Sequence, residues 1–177
     1  MEERSTRPAD GEFAEYYGRY VGLVPDGDIA GTLARQFDVT RSLLDPVPPD
    51  REEYRYAEGK WSVREVVGHL VDTERVFALR ALWVARAADG EQPGMEQDDW
   101  AATANAAARP LPDLVEEWAA LRRSNVLMFR GFAAPAWLRR GRASGVEFTA
   151  RALAWIVAGH ELHHRAGLRR DYGLENG

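Results

Sequence analysis

Apolar residues recur along this chain at the three- and four-residue spacing of helices, in long stretches separated by strong breakers. In the first, Ile29, Leu33, Phe37 and Leu44 share one face; the spacing predicts a helix from about Asp28 to Leu44, which Pro46, Pro48 and Pro49 end. Asp50 to Lys60 is a charged connector with Tyr54 and Tyr56 alternating, and it reads as extended. Ser62 and Glu65 form a capping box for a second helix. Its apolar face carries Val66, Leu70, Phe77 and Ala81, and Asp89-Gly90 stops it after about Ala88. A third helix is predicted from about Pro112 to Phe132, on Leu114, Trp118, Leu121, Met128 and Phe129, with Asn125 in the stripe as a satisfied core polar group. Arg139 to Phe148 is a Gly-rich turn segment that reads as a short hairpin, and Thr149 caps a fourth helix running to about Tyr172.

Between these helices, residues 90 to 110 form the longest irregular connection, and with Met95 and Trp100 it could cover a site. Residues 1 to about 12 are polar and without periodicity, so a flexible tail is expected there, with one domain from 13 to 177. Tyr16, Tyr17 and Tyr20 read as packing against a bundle end. Four long amphipathic helices, few strands and no internal repeat make an all-α protein, a four-helix bundle with long loop connections.

Composition narrows the chemistry. There is no cysteine among the 177 residues, so disulfides, thiolate nucleophiles and cysteine-ligated metals are excluded, and any metal must be held by nitrogen and oxygen. The net charge of -5 and the scattered arginines argue against nucleic acid as a partner. No apolar run is long enough for a membrane span and no apolar core follows the polar N-terminus, so a cytoplasmic protein with a small-molecule partner is expected. The broad apolar stripes leave room for a homodimer.

The candidate chemistry lies in Gly159-His160-Glu161-Leu162-His163-His164. His160 and His164 are four residues apart, one above the other on a helix face, where two imidazoles can share one metal ion. A third ligand is needed, and His69, in the second helix, is the only histidine outside the cluster. Three neutral imidazoles from His69, His160 and His164 would leave a fourth position open, the arrangement of a catalytic site. The same letters form the zincin protease signature, with Glu161 as general base. Downstream of His164, however, only Asp171 and Glu175 remain as further ligands, and no edge strand is available to hold a peptide.

With Tyr56-Ala57-Glu58-Gly59-Lys60-Trp61-Ser62-Val63-Arg64-Glu65-Val66-Val67-Gly68-His69-Leu70, Asp72-Thr73-Glu74-Arg75 with Arg80, and Ala158-Gly159-His160-Glu161-Leu162-His163-His164, the chain resembles the DinB-like (YfiT-like) superfamily of metalloenzymes from about Tyr16 to Tyr172. The resemblance implies a bundle of crossed topology, with His69, His160 and His164 holding zinc, nickel or a related divalent ion. It also implies either transfer of a low-molecular-weight thiol such as bacillithiol, mycothiol or glutathione to an electrophile, placed first, or metal-dependent hydrolysis as the alternative. A bundle that binds a metal or small molecule without turnover is the reading from another class. For hydrolysis the candidate general bases are Glu161, Asp72 and His163. Glu161 lies about 100° around the helix from His160 and could instead face a neighbouring helix. Asp72 could instead pair with Arg75. Glu74, Arg75 and Arg80 are expected to make interhelical ion pairs.

Overall fold

The computed structural model describes residues 2–175. In chain order the elements are α1 (Glu2–Ser5), α2 (Gly18–Val21), α3 (Ile29–Leu44), α4 (Val63–Ala85), α5 (Gln97–Thr103), α6 (Leu111–Arg130), α7 (Ala134–Trp137), β1 (Arg140–Ala143), β2 (Val146–Thr149) and α8 (Ala150–Arg170). The local signals act as their chemistry requires. Ser62 Oγ accepts from the Glu65 amide at 3.3 Å while the Ser62 amide donates to Glu65 Oε2 at 2.7 Å, closing the capping box of α4. Thr149 Oγ1 accepts from the Ala152 amide at 3.1 Å and starts α8. β1 and β2 pair antiparallel across a turn in which Ser144 and Gly145 both have positive φ, the backbone a tight hairpin needs.

The long helices α3, α4, α6 and α8 form the bundle. α4 packs against α8 and α6, and α3 packs against the same two helices. Helices adjacent in sequence, α3 with α4 and α6 with α8, therefore sit across the bundle diagonals, which is a crossed rather than a simple up-and-down topology. Two apolar clusters fill the interior. One joins Leu33, Phe77, Ala81, Phe129, Trp155 and Ile156, and the other joins Phe37, Leu70, Leu114, Trp118 and Leu168. Between them every long helix contributes buried polar groups: Gln36 and Thr40, Glu74, Arg122 and Asn125, and His160 and Glu161.

Three segments differ from the sequence reading. The polar N-terminal residues are tied down: Arg7 donates to the carbonyls of Val21 and Val24, both at 2.7 Å, and buried Glu12 accepts from Arg151 and from Thr149 Oγ1. Long-range charge pairing has no periodicity to betray it. The 90–110 connection contains α5 and a 3-10 turn at Ala106–Ala108. The connector after α3 is not extended throughout, since Pro49–Arg51 make another 3-10 turn.

Candidate metal centre

The packing of α4 on α8 turns three imidazoles toward one point. Nε2 of His160 lies 3.1 Å from Nε2 of His69 and 3.1 Å from Nε2 of His164, and the candidate ligand atoms all fall within 4.8 Å of one another. Metal–nitrogen bonds of about 2.0–2.1 Å at tetrahedral angles set nitrogens roughly 3.3–3.4 Å apart, close to this spacing. Hydrogen bonding alone fits the trio badly. An imidazole nitrogen offers either one proton or one lone pair, so His160 Nε2 cannot satisfy both neighbours. The donor set therefore fits a divalent ion, with nitrogen ligands and no cysteine in the chain.

Glycine precedes two of the ligands for a steric reason. A Cβ on Gly159 would stand 2.0 Å from the Tyr20 carbonyl oxygen, so α2 can approach α8 only over a bare Cα. That approach sets the Tyr20 ring edge-on to His160, with centroids 5.4 Å apart. A Cβ on Gly68 would meet Ala106 Cβ at 2.8 Å, so the turn after α5 closes over α4 beside His69 in the same way. Trp61 covers His69 at 4.6 Å between ring centroids, and Thr73 Oγ1 stands 3.4 Å from His69 Nδ1. Burial pushes the His69 pKa down to about 4, with the Asp98 charge opposing it. Burial, helped by His69 and His163, takes His164 to about 3, and burial followed by the neighbouring imidazoles takes His160 well below its usual value. At neutral pH all three present lone pairs.

The centre lies where two cavities meet. One, of about 580 Å³, is reached by His69 and His160 and walled by Tyr17, Tyr20, Phe77, Arg80 and Met95. The other, of about 400 Å³, is reached by His164 and lined by Lys60, Trp61, His163, Arg170 and Tyr172. Asp98, on the first turn of α5, lines both.

A family model of the DinB superfamily matches residues 32–167, most of the chain and all three histidines. The chain belongs to the DinB superfamily. Among solved structures it is similar to YfiT from Bacillus subtilis, described as a probable metal-dependent hydrolase with an unusual four-helix bundle topology. That match has a TM-score of 0.69 and 15% identity, and covers 99% of this chain and 100% of that one. It is also similar to the DinB-like protein YjoA from Bacillus subtilis, at a TM-score of 0.55 and 22% identity, over 79% of this chain and 85% of that one. No protein of curated function matches it significantly.

Within this DinB-superfamily bundle the three expected ligands converge; of the residues expected beside them as bases, Glu161 and Asp72 lie away from the imidazoles, and His163 lines the cavity that His164 reaches. Glu161 is 1% exposed and turns away from the imidazoles into the bundle centre. One of its oxygens accepts from Thr40, and the other from Gln36 and from Arg122 at 2.7 Å. Arg122 also binds Glu74, which accepts from Trp118 Nε1 and Asn125 as well, so all four long helices share one buried network. Glu161 is thus a structural anion, and Asn125 is the satisfied core amide expected. Asp72 lies outside the histidine trio and both cavities and stands 3.8 Å from Arg75, the helix ion pair that was its plainer reading. His163 is exposed, outside the ligand trio, and flanks His164 edge-on at 5.2 Å. Met95 lines the larger cavity, whereas Trp100 does not. Tyr16, Tyr17 and Tyr20, expected at a bundle end, wall the cavity at the centre. Asp98 carries no sequence signal beyond the acid that Glu96, Asp98 and Asp99 crowd into the 90–110 connection.

Proposed function

We propose that the chain is a metal-dependent enzyme acting on a small molecule, with hydrolysis as its reaction and His69, His160 and His164 as the ligands. The observation that carries this reading is the convergence of three imidazole nitrogens, from buried His69 and His160 and half-buried His164, at the junction of two cavities. The description of YfiT as a probable metal-dependent hydrolase supports it. A divalent ion held there, zinc or nickel, would supply Lewis acidity to an oxygen or sulfur atom reaching its open side and lower that atom's pKa toward neutrality. The protein's own groups do the rest. Trp61 and Thr73 fix the His69 ring, and Tyr17, Tyr20 and Phe77 give the apolar part of a substrate a wall to lie on. Asp98 is the carboxylate at the junction, and its role is to take the proton from the attacking water.

Transfer of a low-molecular-weight thiol is the second reading, and the cavity on the His164 side favours it. Lined by Lys60, Arg170 and Asp171, that cavity offers a polar co-substrate its own compartment, and a chain without cysteine must take its sulfur from outside. Elemental analysis of protein purified without chelator should find about one divalent ion per chain. Alanine at His69, His160 or His164 should remove most of it, and alanine at His163 should not. Equal losses at all four positions would reject the ligand set. In a cobalt-substituted sample, a visible spectrum that shifts on adding thiols supports transfer, and an unchanged one supports hydrolysis. Asp98→Asn should keep the metal while slowing turnover by about 10²-fold or more; unchanged turnover removes Asp98 from the reaction.

A further inference from the structure

The larger cavity holds a buried cation that no carboxylate among the described residues meets. Arg80 is 3% exposed and lines this cavity. Its Nη2 donates to the Pro93 carbonyl at 2.7 Å and to Ser144 Oγ at 3.0 Å, and its guanidinium lies over the Phe77 ring. Its Nε is buried without a hydrogen-bond partner. Among the described residues no carboxylate lies within ion-pair distance of Arg80, whereas the other buried arginines, Arg122 and Arg151, each hold one or more. The interhelical ion pair expected of Arg80 is therefore missing, although Glu74 and Arg75 both make theirs. A buried cation with neutral partners alone is costly, and buried charges are as a rule paired.

Its position relative to the metal centre gives the ligand a shape. His69, Thr73, Phe77 and Arg80 all line the cavity and follow at successive turns of α4. His69 and Arg80 are thus about 16 Å apart along the helix axis, and the arginine side chain leans back toward the histidine end. Between them the wall is Phe77, Tyr17 and Ile156, with Tyr17 edge-on to Phe77 at 5.8 Å.

We propose that Arg80 is the subsite for a carboxylate of the substrate, so that the cavity takes an elongated organic monoanion whose apolar middle lies on Phe77 and Tyr17 and whose far end reaches the three histidines. This rests on the enzyme reading above and extends it to a substrate class. A single cation suits one negative charge. Glu96, Asp98 and Asp99 line the same cavity from α5 and its approach, and repel a dianionic phosphate more strongly than a monoanion whose carboxylate sits at Arg80.

The test titrates wild-type protein calorimetrically with ω-phenylalkanoates from phenylacetate to 5-phenylpentanoate, each against its neutral amide, and with inorganic phosphate. At least one acid should bind about 10- to 100-fold more tightly than its amide, the range for a charge-assisted hydrogen bond to a buried group. Arg80→Gln should abolish that preference and Arg80→Lys should restore part of it. The preference should persist in His160→Ala/His164→Ala, which lacks the metal ligands. Four results would overturn the subsite: no acid preferred over its amide, a preference that survives Arg80→Gln, a preference lost with the metal ligands, or phosphate binding more tightly than every acid. If Arg80→Gln does not fold, Arg80→Lys and His160→Ala/His164→Ala still decide, since the preference should weaken in the first and persist in the second. Metal content measured on the same samples separates the two ideas, because a metal-free wild type that still selects acids through Arg80 would sink the enzyme reading alone.

Discussion

Burial of the three converging histidines changes what acid does to the protein. An imidazole that is exposed and titrates near 6.5 in the unfolded chain titrates near 4 at His69 and near 3 at His164 once folded. Between those values the unfolded chain holds more protons than the native one, so stability is highest above about pH 6.5 and falls as pH drops toward the folded values. His69 alone accounts for a loss on the order of 3 kcal/mol by pH 4. The expected outcome is a steady decline in the denaturant midpoint of metal-free protein between pH 6.5 and 5, where carboxylates are still charged. A flat profile there would show that the histidines are not buried together. The sequence made the spacing of His160 and His164 and the isolation of His69 legible. It left the direction of Glu161 open, because a residue 100° from a ligand faces either the metal or the next helix depending on how α8 is rotated.

At the scale of elements, the site depends on how closely α2 lies against α8. Replacing a helical glycine by alanine normally stabilises a helix by about 0.5–1 kcal/mol. At Gly159 the sign should reverse, because the new Cβ would stand 2.0 Å from backbone that has no rotamer to yield. Gly159→Ala should destabilise by more than about 2 kcal/mol and reduce metal content as α2 and Tyr20 are pushed off His160. Gly68→Ala meets only the Cβ of Ala106 in a turn, so it should cost less and keep the metal. Thermal unfolding with elemental analysis measures both, and an unaltered Tm for Gly159→Ala would contradict the packing. The caps that start α4 and α8 could be read directly, since each is written within four residues. The anchoring of Arg7 and Glu12 to the bundle could not, since Val21, Val24, Thr149 and Arg151 lie 14 residues or more away in sequence.

The whole bundle is held at its centre by charge as well as by apolar packing. Arg122, 2% exposed, lies between Glu74 and Glu161 where the two diagonals cross. Burial alone would raise the Glu74 pKa, but Arg122 overrides it and holds the carboxyl below its usual range. Removing the arginine leaves two buried carboxylates without a counter-ion, so Arg122→Met should lower stability by about 3–5 kcal/mol. Arg122→Met/Glu74→Gln/Glu161→Gln, with the charges removed together, should recover much of that loss. Chemical denaturation of both variants decides it, and equal losses would show that volume, not charge, is what the network supplies.

By itself the sequence determined the four helices, the caps of α4 and α8, the hairpin and a histidine set able to hold one ion, because helical periodicity, capping and i,i+4 spacing are local properties of the chain. Only the tertiary structure decided the rest. It set α3 and α6 diagonal to α4 and α8, turned Glu161 inward, paired Asp72 with Arg75, brought Asp98 to the junction of the cavities and left Arg80 without a carboxylate partner among the described residues. Each of these depends on the rotation and crossing of helices packed against each other, and a pattern that repeats every 3.6 residues marks which face is buried without saying what it is buried against.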